Sequence, residues 1–396
     1  MKIGIYGGTF NPIHMGHIRA ARFAAAYLEL DRLYLVPAGL PPHKELDSDA
    51  AGGEHRLEMA RLAARELGGM AQVLDLEVRR EGRSYTVDTL GQLRAMHPAD
   101  ELYLLMGTDM FLTLQDWREP EKIAKLCTLC AFSREEEDTP QLFREQSARL
   151  AEKLGARSVI VPLPHITEIS STRLREELPR GGGRRYLTDA VYGYILRQGL
   201  YGVKRPLRGL PLEDLRCVAL TMLKDSRVPH VLGCEETAAK LALRWGGDET
   251  LARRAALLHD CTKQLSWEQQ LDLFRQYGMD VSGLDPREEK LLHAVTGALV
   301  AERRFGESPA VVSAIRWHTT GRADMTALEK IVYLADCIEP SRDFQGVADL
   351  RRLAFEDLDR AVLLGLTMTV EELERRGGFV HQDSVLARDH LKGKLS

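Results

Sequence analysis

Strand-like apolar runs at residues 3–6, 33–36, 72–76, 102–106, 126–131 and 158–161 alternate with helix-patterned stretches at 19–28, 56–67 and 86–96. Uninterrupted apolar strands suit a parallel sheet buried on both faces, whereas strands with one wet face alternate apolar and polar positions. The pattern therefore predicts a parallel α/β sheet in the first half, with ligands held at the carboxyl ends of its strands. From Leu212 onward helical periodicity dominates, at 213–224, 235–244, 250–258, 267–277, 286–304, 309–317 and 327–337, and the second half reads as all-α. Residues 202–209, rich in Gly, Pro and basic side chains, mark the boundary between the two. There is no internal repeat or low-complexity tract, and 47–53 and 388–396 are expected to be the most mobile stretches.

The 396 residues allow two or three domains, and 44% hydrophobic content suffices for packed cores. A net charge of -4 excludes a general positive field for nucleic acid or anionic membrane, so anionic ligands have to be held by local sites. With no leader-like segment and no apolar run of membrane-spanning length, the expectation is a soluble, cytoplasmic protein. The six cysteines do not suggest a disulfide framework and are expected to be reduced. Cys127 and Cys130 form a CxxC inside an apolar run that reads as a buried strand. Packing is the expected role there, because strand residues three apart point to opposite faces and no second CxxC completes a metal site.

The first apolar run leads into Gly7-Gly8-Thr9-Phe10-Asn11-Pro12-Ile13-His14-Met15-Gly16-His17, followed by an alanine-rich helical stretch. Glycines 7 and 8 would let backbone N–H groups approach an oxyanion, and a helix starting near His17 would aim its positive end at the same place. The loop lacks both the Gly-Lys-Ser/Thr of a P-loop and the spacing of a dinucleotide fingerprint. A Gly-rich turn alone could be a plain βα connection; the paired histidines favour polyphosphate.

This segment resembles the signature of the nucleotidylyltransferase superfamily, most closely bacterial nicotinate-nucleotide adenylyltransferase. Pro41-Pro42-His43-Lys44, Ser84-Tyr85-Thr86-Val87-Asp88-Thr89-Leu90, Gly107-Thr108-Asp109, Trp117, Ile169-Ser170-Ser171-Thr172-Arg173, Tyr194-Ile195 and Gly199-Leu200-Tyr201 resemble that family in the same order. The resemblance implies a Rossmann-like domain over 1–203, in which 181–183 is an internal loop and 191–201 belongs to the closing helix. It also implies adenylyl transfer from ATP to nicotinate mononucleotide with Mg2+, giving deamido-NAD and pyrophosphate. By resemblance, Gly7, Gly8, Thr9, His14, His17, Gly107, Asp109, Ser171, Thr172 and Arg173 would bind ATP, with His14, His17 and Arg173 catalytic. Lys44, Tyr85, Thr86 and Trp117 would bind the mononucleotide, the tryptophan against the pyridine ring. Ser171 and Thr172, at the start of a helical stretch, would also serve as helix caps.

In the second half His259-Asp260 reads as embedded in the apolar helix 251–258, with His293 and His318 also inside helical patterns, and two adjacent polar groups there need partners or a metal. Read with His230, His293, His318 and Asp336 they form a hard-to-borderline donor set that can hold two divalent ions, with Asp260 as the bridge. His259 to Lys263 (HDCTK), His318 to Arg322 (HTTGR) and Tyr333 to Phe344 (YLADCIEPSRDF) resemble the HD-domain phosphohydrolases, specifically the YqeK-type family. One departure is Ala294 after His293, where glycine is expected. The resemblance implies an all-α HD domain over 204–396, a di-iron site, and symmetrical cleavage of diadenosine tetraphosphate to two ADP. Lys263 would be catalytic by neutralising phosphate charge; Arg322 and Arg342 could act likewise or be surface residues. The alternatives are a pantetheine-phosphate type adenylyltransferase, and an HD nucleotidase, cyclic-dinucleotide phosphodiesterase or non-catalytic nucleotide-sensing module. Homo-oligomerisation is left open.

Overall fold

A computed structural model describes residues 1–40, 50–132, 139–163, 169–282 and 284–396. The chain forms two compact units, Met1–Arg205 and Pro206–Ser396.

Among the described residues the first unit carries six parallel strands: β1 (Lys2–Gly8), β2 (Arg32–Pro37), β3 (Ala71–Val73), β4 (Glu101–Gly107), β5 (Thr128–Phe132) and β6 (Ser158–Val161). Their order is β3-β2-β1-β4-β5-β6. Ile5 pairs with Tyr34 on β2 and with Leu104 on β4, so β1 sits in the middle. Successive crossovers move outward from β1 in one direction and then, from β4, in the other. That reversal opens a crevice at the carboxyl ends of β1 and β4, the ordinary ligand position of a doubly wound sheet.

The intervening helices are α1 (Met15–Leu28), α2 (Gly53–Ala64), α3 (Thr86–Met96), α4 (Thr108–Leu112), α5 (Pro120–Leu126), α6 (Pro140–Leu154), α7 (Ser171–Glu177) and α8 (Asp189–Gln198). In α1, Ile18, Ala21, Ala24, Ala25 and Leu28 recur at helical spacing and are buried. The other sheet face packs Ile3, Ile5 and Met106 against Val87, Leu90, Phe111, Ile123 and Phe143 from α3 to α6. Cys127 and Cys130 are buried free thiols, as the strand pattern predicts.

The second unit is helical: α9 (Leu212–Leu220), α10 (Val228–Arg244), α11 (Glu249–Leu258), α12 (Trp267–Gln276), α13 (Glu289–Val300), α14 (Pro309–Arg316), α15 (Ala327–Ile338), α16 (Val347–Glu356), α17 (Leu358–Arg375) and α18 (Gln382–Leu395). Its main core joins α10, α11 and α15 through residues such as Cys234, Leu241, Ala256, Ile331 and Leu334.

Several expectations need correction. Residues 388–396 are not a loose tail, since α18 runs through them and buries Ala387 and Leu391. Residues 47–49 lie outside the described residues, whereas Ala51 is buried and Gly53 opens α2. Helix α10 starts seven residues before the predicted Glu235, with Pro229 in its first turn, where a missing N–H costs nothing. No helix among the described residues is long and apolar enough to cross a membrane.

Candidate functional site

The first constellation surrounds the carboxyl end of β1. Gly7 and Gly8 are still extended strand, and a Cβ on Gly8 would lie 2.9 Å from the Phe10 ring, so this glycine admits an aromatic neighbour. Phe10 takes the left-handed conformation (φ 50°) and packs edge-on against both Tyr6 and His17. Helix α1 begins at Met15, close to where it is expected, with His14 as its N-cap and His17 in its first turn. The two imidazoles lie with centroids 3.8 Å apart. The His14 backbone N–H donates to His17 Nδ1 at 3.2 Å. With Nδ1 accepting, a neutral His17 carries its proton on Nε2 and offers that N–H as a donor.

Helix α7 is tied to the same loop. Ser171 Oγ donates to the Pro12 carbonyl at 3.0 Å, and Arg175 donates to the Asn11 carbonyl at 3.0 Å. The expected caps are displaced by one residue: Ser170 Oγ accepts the Arg173 N–H at 3.1 Å, while Ser171 and Thr172 lie inside the first turn. Arg173 pairs with Glu177 at 2.9 Å on an exposed face, a pairing weak enough for a phosphate to displace. Gly107 precedes α4 at the end of β4, with Asp109 exposed in the first turn.

Arg56 was not anticipated as a site residue. It is 1% exposed, and its guanidinium donates to the carbonyls of Thr9 (2.8 Å), Ala38 (2.6 Å), Gly39 (3.2 Å) and Ala51 (3.1 Å). The loops after β1 and β2 are thereby fixed to the start of α2. Asn11 Oδ1 closes the arrangement by accepting from the Ala51 N–H and the Tyr201 hydroxyl at 3.0 and 2.9 Å. Beyond Gly39, the Leu40 carbonyl accepts the Ser84 N–H at 3.0 Å, which holds the Tyr85-Thr86 segment at the start of α3. Trp117 and Tyr85 are both half-buried against the sheet core, and Arg118 stacks on the Tyr85 ring at 4.5 Å. Lys44 lies outside the described residues.

The second constellation brings all six predicted donors together. His230 stands on the first turn of α10, His293 on α13 and Asp336 on α15. His259-Asp260 and His318 sit just past the ends of α11 and α14 rather than within helices, where the chain can turn side chains inward. Asp260 is divided between two histidine pairs. Its Oδ2 lies 3.7 Å from His230 Nε2 and 3.5 Å from His259 Nε2; its Oδ1 lies 3.2 Å from His293 Nε2 and 3.9 Å from His318 Nε2. Asp336 Oδ1 is 3.1 Å from His230 Nε2.

Outer partners hold three of the rings with Nε2 inward. Nδ1 of His230 meets the Glu339 carboxylate at 3.0 Å, and Nδ1 of His259 and His318 meet the carbonyls of Ala256 (2.6 Å) and Ile315 (2.7 Å). Fixing one ring nitrogen in this way leaves the other as a metal-ligating lone pair. Burial alone would raise the Asp260 carboxyl, but the surrounding imidazoles hold it far below the usual carboxylate range. Burial and the neighbouring histidines keep His318 neutral, with a pKa lowered to about 3. Burial also lowers His293, whereas the adjacent Asp260 and Asp336 carboxylates outweigh burial at His259 and raise it. Anionic carboxylates, with neutral imidazoles at His293 and His318, are protonation states a divalent cation needs, and a bound cation would displace the proton that the carboxylates favour on His259, so the donor set fits a metal.

Three cations face this nest. Lys263 Nζ lies 3.1 Å from His293 Nε2, Arg342 donates to Asp336 Oδ1 at 2.5 Å, and Arg227 pairs with Asp260 Oδ2. Arg322, by contrast, donates at 3.1 Å to Glu329, which is fully buried; it holds the turn before α15.

Comparison with known proteins adds the family. A Cytidylyltransferase-like model matches residues 5–177 and an HD domain model residues 227–341. A protein of Citrifermentans bemidjiense named "Probable nicotinate-nucleotide adenylyltransferase" is 37% identical over 214 residues, covering 51% of this chain and 98% of that protein. A Synechococcus protein of the same name is 40% identical over 202 residues, covering 50% and 94%. The chain belongs to the nicotinate-nucleotide adenylyltransferase family. The part that matches these relatives is followed by the HD domain, which is similar to a solved structure from Clostridium acetobutylicum described as a "predicted HD superfamily hydrolase involved in NAD metabolism". That likeness is 35% identity over 47% of this chain and 98% of the other, with a TM-score of 0.44.

Besides Arg56, the expectations from sequence missed Arg227 and Glu339. The first carried a usable signal, three residues before His230 and one helical turn away. Glu339 follows Asp336 at the same spacing.

Proposed function

We propose that the chain is a bifunctional enzyme that adenylates nicotinate mononucleotide with ATP and hydrolyses diadenosine tetraphosphate symmetrically. The first reading is carried by the convergence of the His14/His17 loop, the start of α7 and the end of β4 on one crevice, together with the names of its relatives. In this reading an oxygen of the mononucleotide phosphate attacks the α-phosphorus of ATP in line, and the bond to the β-phosphate oxygen breaks to release pyrophosphate. The protein positions the two phosphates and stabilises charge on the oxygens, and supplies no nucleophile. His17 Nε2–H and Arg173 would act on the phosphates, Thr9, Ser171 and Thr172 would line their path, and Asp109 would accept a ribose hydroxyl. Mg2+ would neutralise charge on the departing pyrophosphate. Tyr85, Thr86, Trp117 and Lys44 would hold the mononucleotide.

The second reading is carried by the two-sided Asp260 carboxylate. Divalent cations held by His230, His259, Asp260, His293, His318 and Asp336 would supply Lewis-acid activation of water and of a phosphoryl oxygen. Arg227, Lys263 and Arg342 would neutralise a tetraphosphate, a ligand of high negative charge density. Water adds across the central bridge of the tetraphosphate, the bond between the second and third phosphates breaks, and two ADP leave.

The test is to incubate the purified full-length protein with ATP, nicotinate or nicotinamide mononucleotide and Mg2+, and separately with diadenosine tetraphosphate and Fe2+, Mn2+ or Co2+ under anaerobic conditions. Deamido-NAD with pyrophosphate, and ADP as sole product, are expected. An ATP plus AMP pair would overturn the symmetrical assignment, and the absence of any dinucleotide product would overturn the first.

A further inference from the structure

Glu77 lies in the turn between β3 and α3, and its side chain and main chain each bridge the loop after β2 to the segment that leads into α3. The carboxylate accepts the Thr89 hydroxyl at 2.7 Å and also the Gly39 backbone N–H. The main-chain carbonyl accepts the Ser84 hydroxyl at 3.3 Å and lies so near Gly39 that a Cβ there would stand 2.2 Å away. Ser84 and Thr89 are both buried, and Thr89 stands one helical turn beyond Tyr85, whose carbonyl accepts the Thr89 N–H at 3.3 Å. On the other side Gly39 is held by Arg56, and the Ala38 N–H donates to the Gly8 carbonyl at 2.9 Å. We infer that Glu77 is a positioning residue for the mononucleotide site, fixing the start of α3, with Tyr85 and Thr86, against the loop after β2. The inference rests on the adenylyltransferase reading above and goes beyond it by giving that site a support that acts only through other residues.

Two donors from separate segments converge on this carboxylate, and Arg80 adds positive charge beside them by donating to Thr89 Oγ1 at 3.2 Å. An ionised carboxylate is acceptor-only and meets both donors at once, whereas an amide of the same size has to turn its NH2 towards one of them. Burial pushes the Glu77 carboxyl up, and the Thr89 hydroxyl, Arg80 and the Gly39 N–H oppose that rise. Glycine at 39 belongs to the same device, since any side chain there would drive the Glu77 carbonyl away. A carboxylate that served only to solubilise the turn would face water instead.

The consequence falls on one substrate. Tyr85 is the N-cap of α3 and Thr86 its first residue, so a shift of Thr89 reaches both through a single helical turn. The His14/His17 loop is held independently, by Ser171 and Arg175 on α7 and by Arg56 at the Thr9 carbonyl. Loosening Glu77 therefore disturbs the residues proposed to hold the mononucleotide and leaves those proposed to hold ATP in place.

The test measures adenylyl transfer by full-length Glu77→Gln, Thr89→Val and Thr89→Ser, with ATP and nicotinate mononucleotide varied in turn and melting temperatures taken on the same samples. Glu77→Gln and Thr89→Val are each expected to raise KM for the mononucleotide about tenfold and to leave KM for ATP within about twofold of wild type, the pattern of lost substrate positioning. Thr89→Ser keeps the hydroxyl and is expected to restore the wild-type value. Because Glu77 and Thr89 act through one hydrogen bond, the double variant Glu77→Gln/Thr89→Val is expected to be no worse than either single one. An unchanged KM for the mononucleotide, a parallel loss for both substrates, or a Thr89→Ser variant as impaired as Thr89→Val overturns the inference and leaves the adenylyltransferase standing. Wild type that forms no dinucleotide overturns that reading itself. If Glu77→Gln fails to fold, the two Thr89 variants decide alone.

Discussion

The buried guanidinium of Arg56 donates to the carbonyl oxygen of Thr9 at 2.8 Å, joining the start of α2 to the loop that carries His14 and His17. The same guanidinium spans the loop after β2, so the two chain reversals flanking the crevice share one anchor. Arg56→Met keeps much of the volume and leaves those carbonyls without their charged donor. It is expected to destabilise the first unit by about 3 kcal/mol, the scale of losing charged hydrogen bonds in a buried site. Urea denaturation of the full-length protein, followed by a probe in that unit, measures the loss; a change below about 0.5 kcal/mol would show that water replaces the donor at no cost.

His17→Ala is expected to lower kcat for adenylyl transfer by roughly a hundredfold or more, as for removal of a donor aimed at developing charge. The variant should retain wild-type thermal stability, because His17 is only partly buried. Steady-state kinetics at saturating ATP and mononucleotide decide the matter, and an unchanged kcat removes His17 from the reacting centre.

Much of this architecture could be read from residue order. The strands were legible because a sheet buried on both faces demands apolar runs, and β1, β4, β5 and β6 fall within two residues of where those runs predict them. The six donors of the HD domain were legible because histidines and aspartates inside apolar stretches need a common partner. Arg56 was not legible: a charged side chain at the start of a helix reads as solvated, and only the carbonyls that the loops after β1 and β2 direct at it explain its burial. Helix α18 was missed because its buried stripe, Ser384, Ala387 and Leu391, is narrow and set among charged residues.

Trp117→Ala is expected to raise KM for nicotinate mononucleotide by roughly tenfold, the scale of one lost aromatic stack, and to leave KM for ATP near its wild-type value. Because Trp117 also packs partly against the sheet core, the melting temperature should be measured alongside. Equal weakening of both substrates with a large fall in melting temperature would assign the ring to packing.

Asp260→Ala is expected to abolish hydrolysis of diadenosine tetraphosphate and to reduce bound divalent metal, while leaving adenylyl transfer intact, because each compact unit has its own core. Metal analysis of anaerobically prepared protein, with both activities measured on the same sample, provides the check. Normal hydrolysis by the variant would exclude this carboxylate from the reaction.

The divided carboxylate of Asp260 also limits how the HD centre can change. Its two oxygens are carried on one planar group, so a turn about its last torsion that moves Oδ2 relative to the pair His230 and His259 moves Oδ1 relative to His293 and His318 in the same act. Neither half can be adjusted through this residue without disturbing the other. Variation in metal preference must therefore enter at positions belonging to one side only.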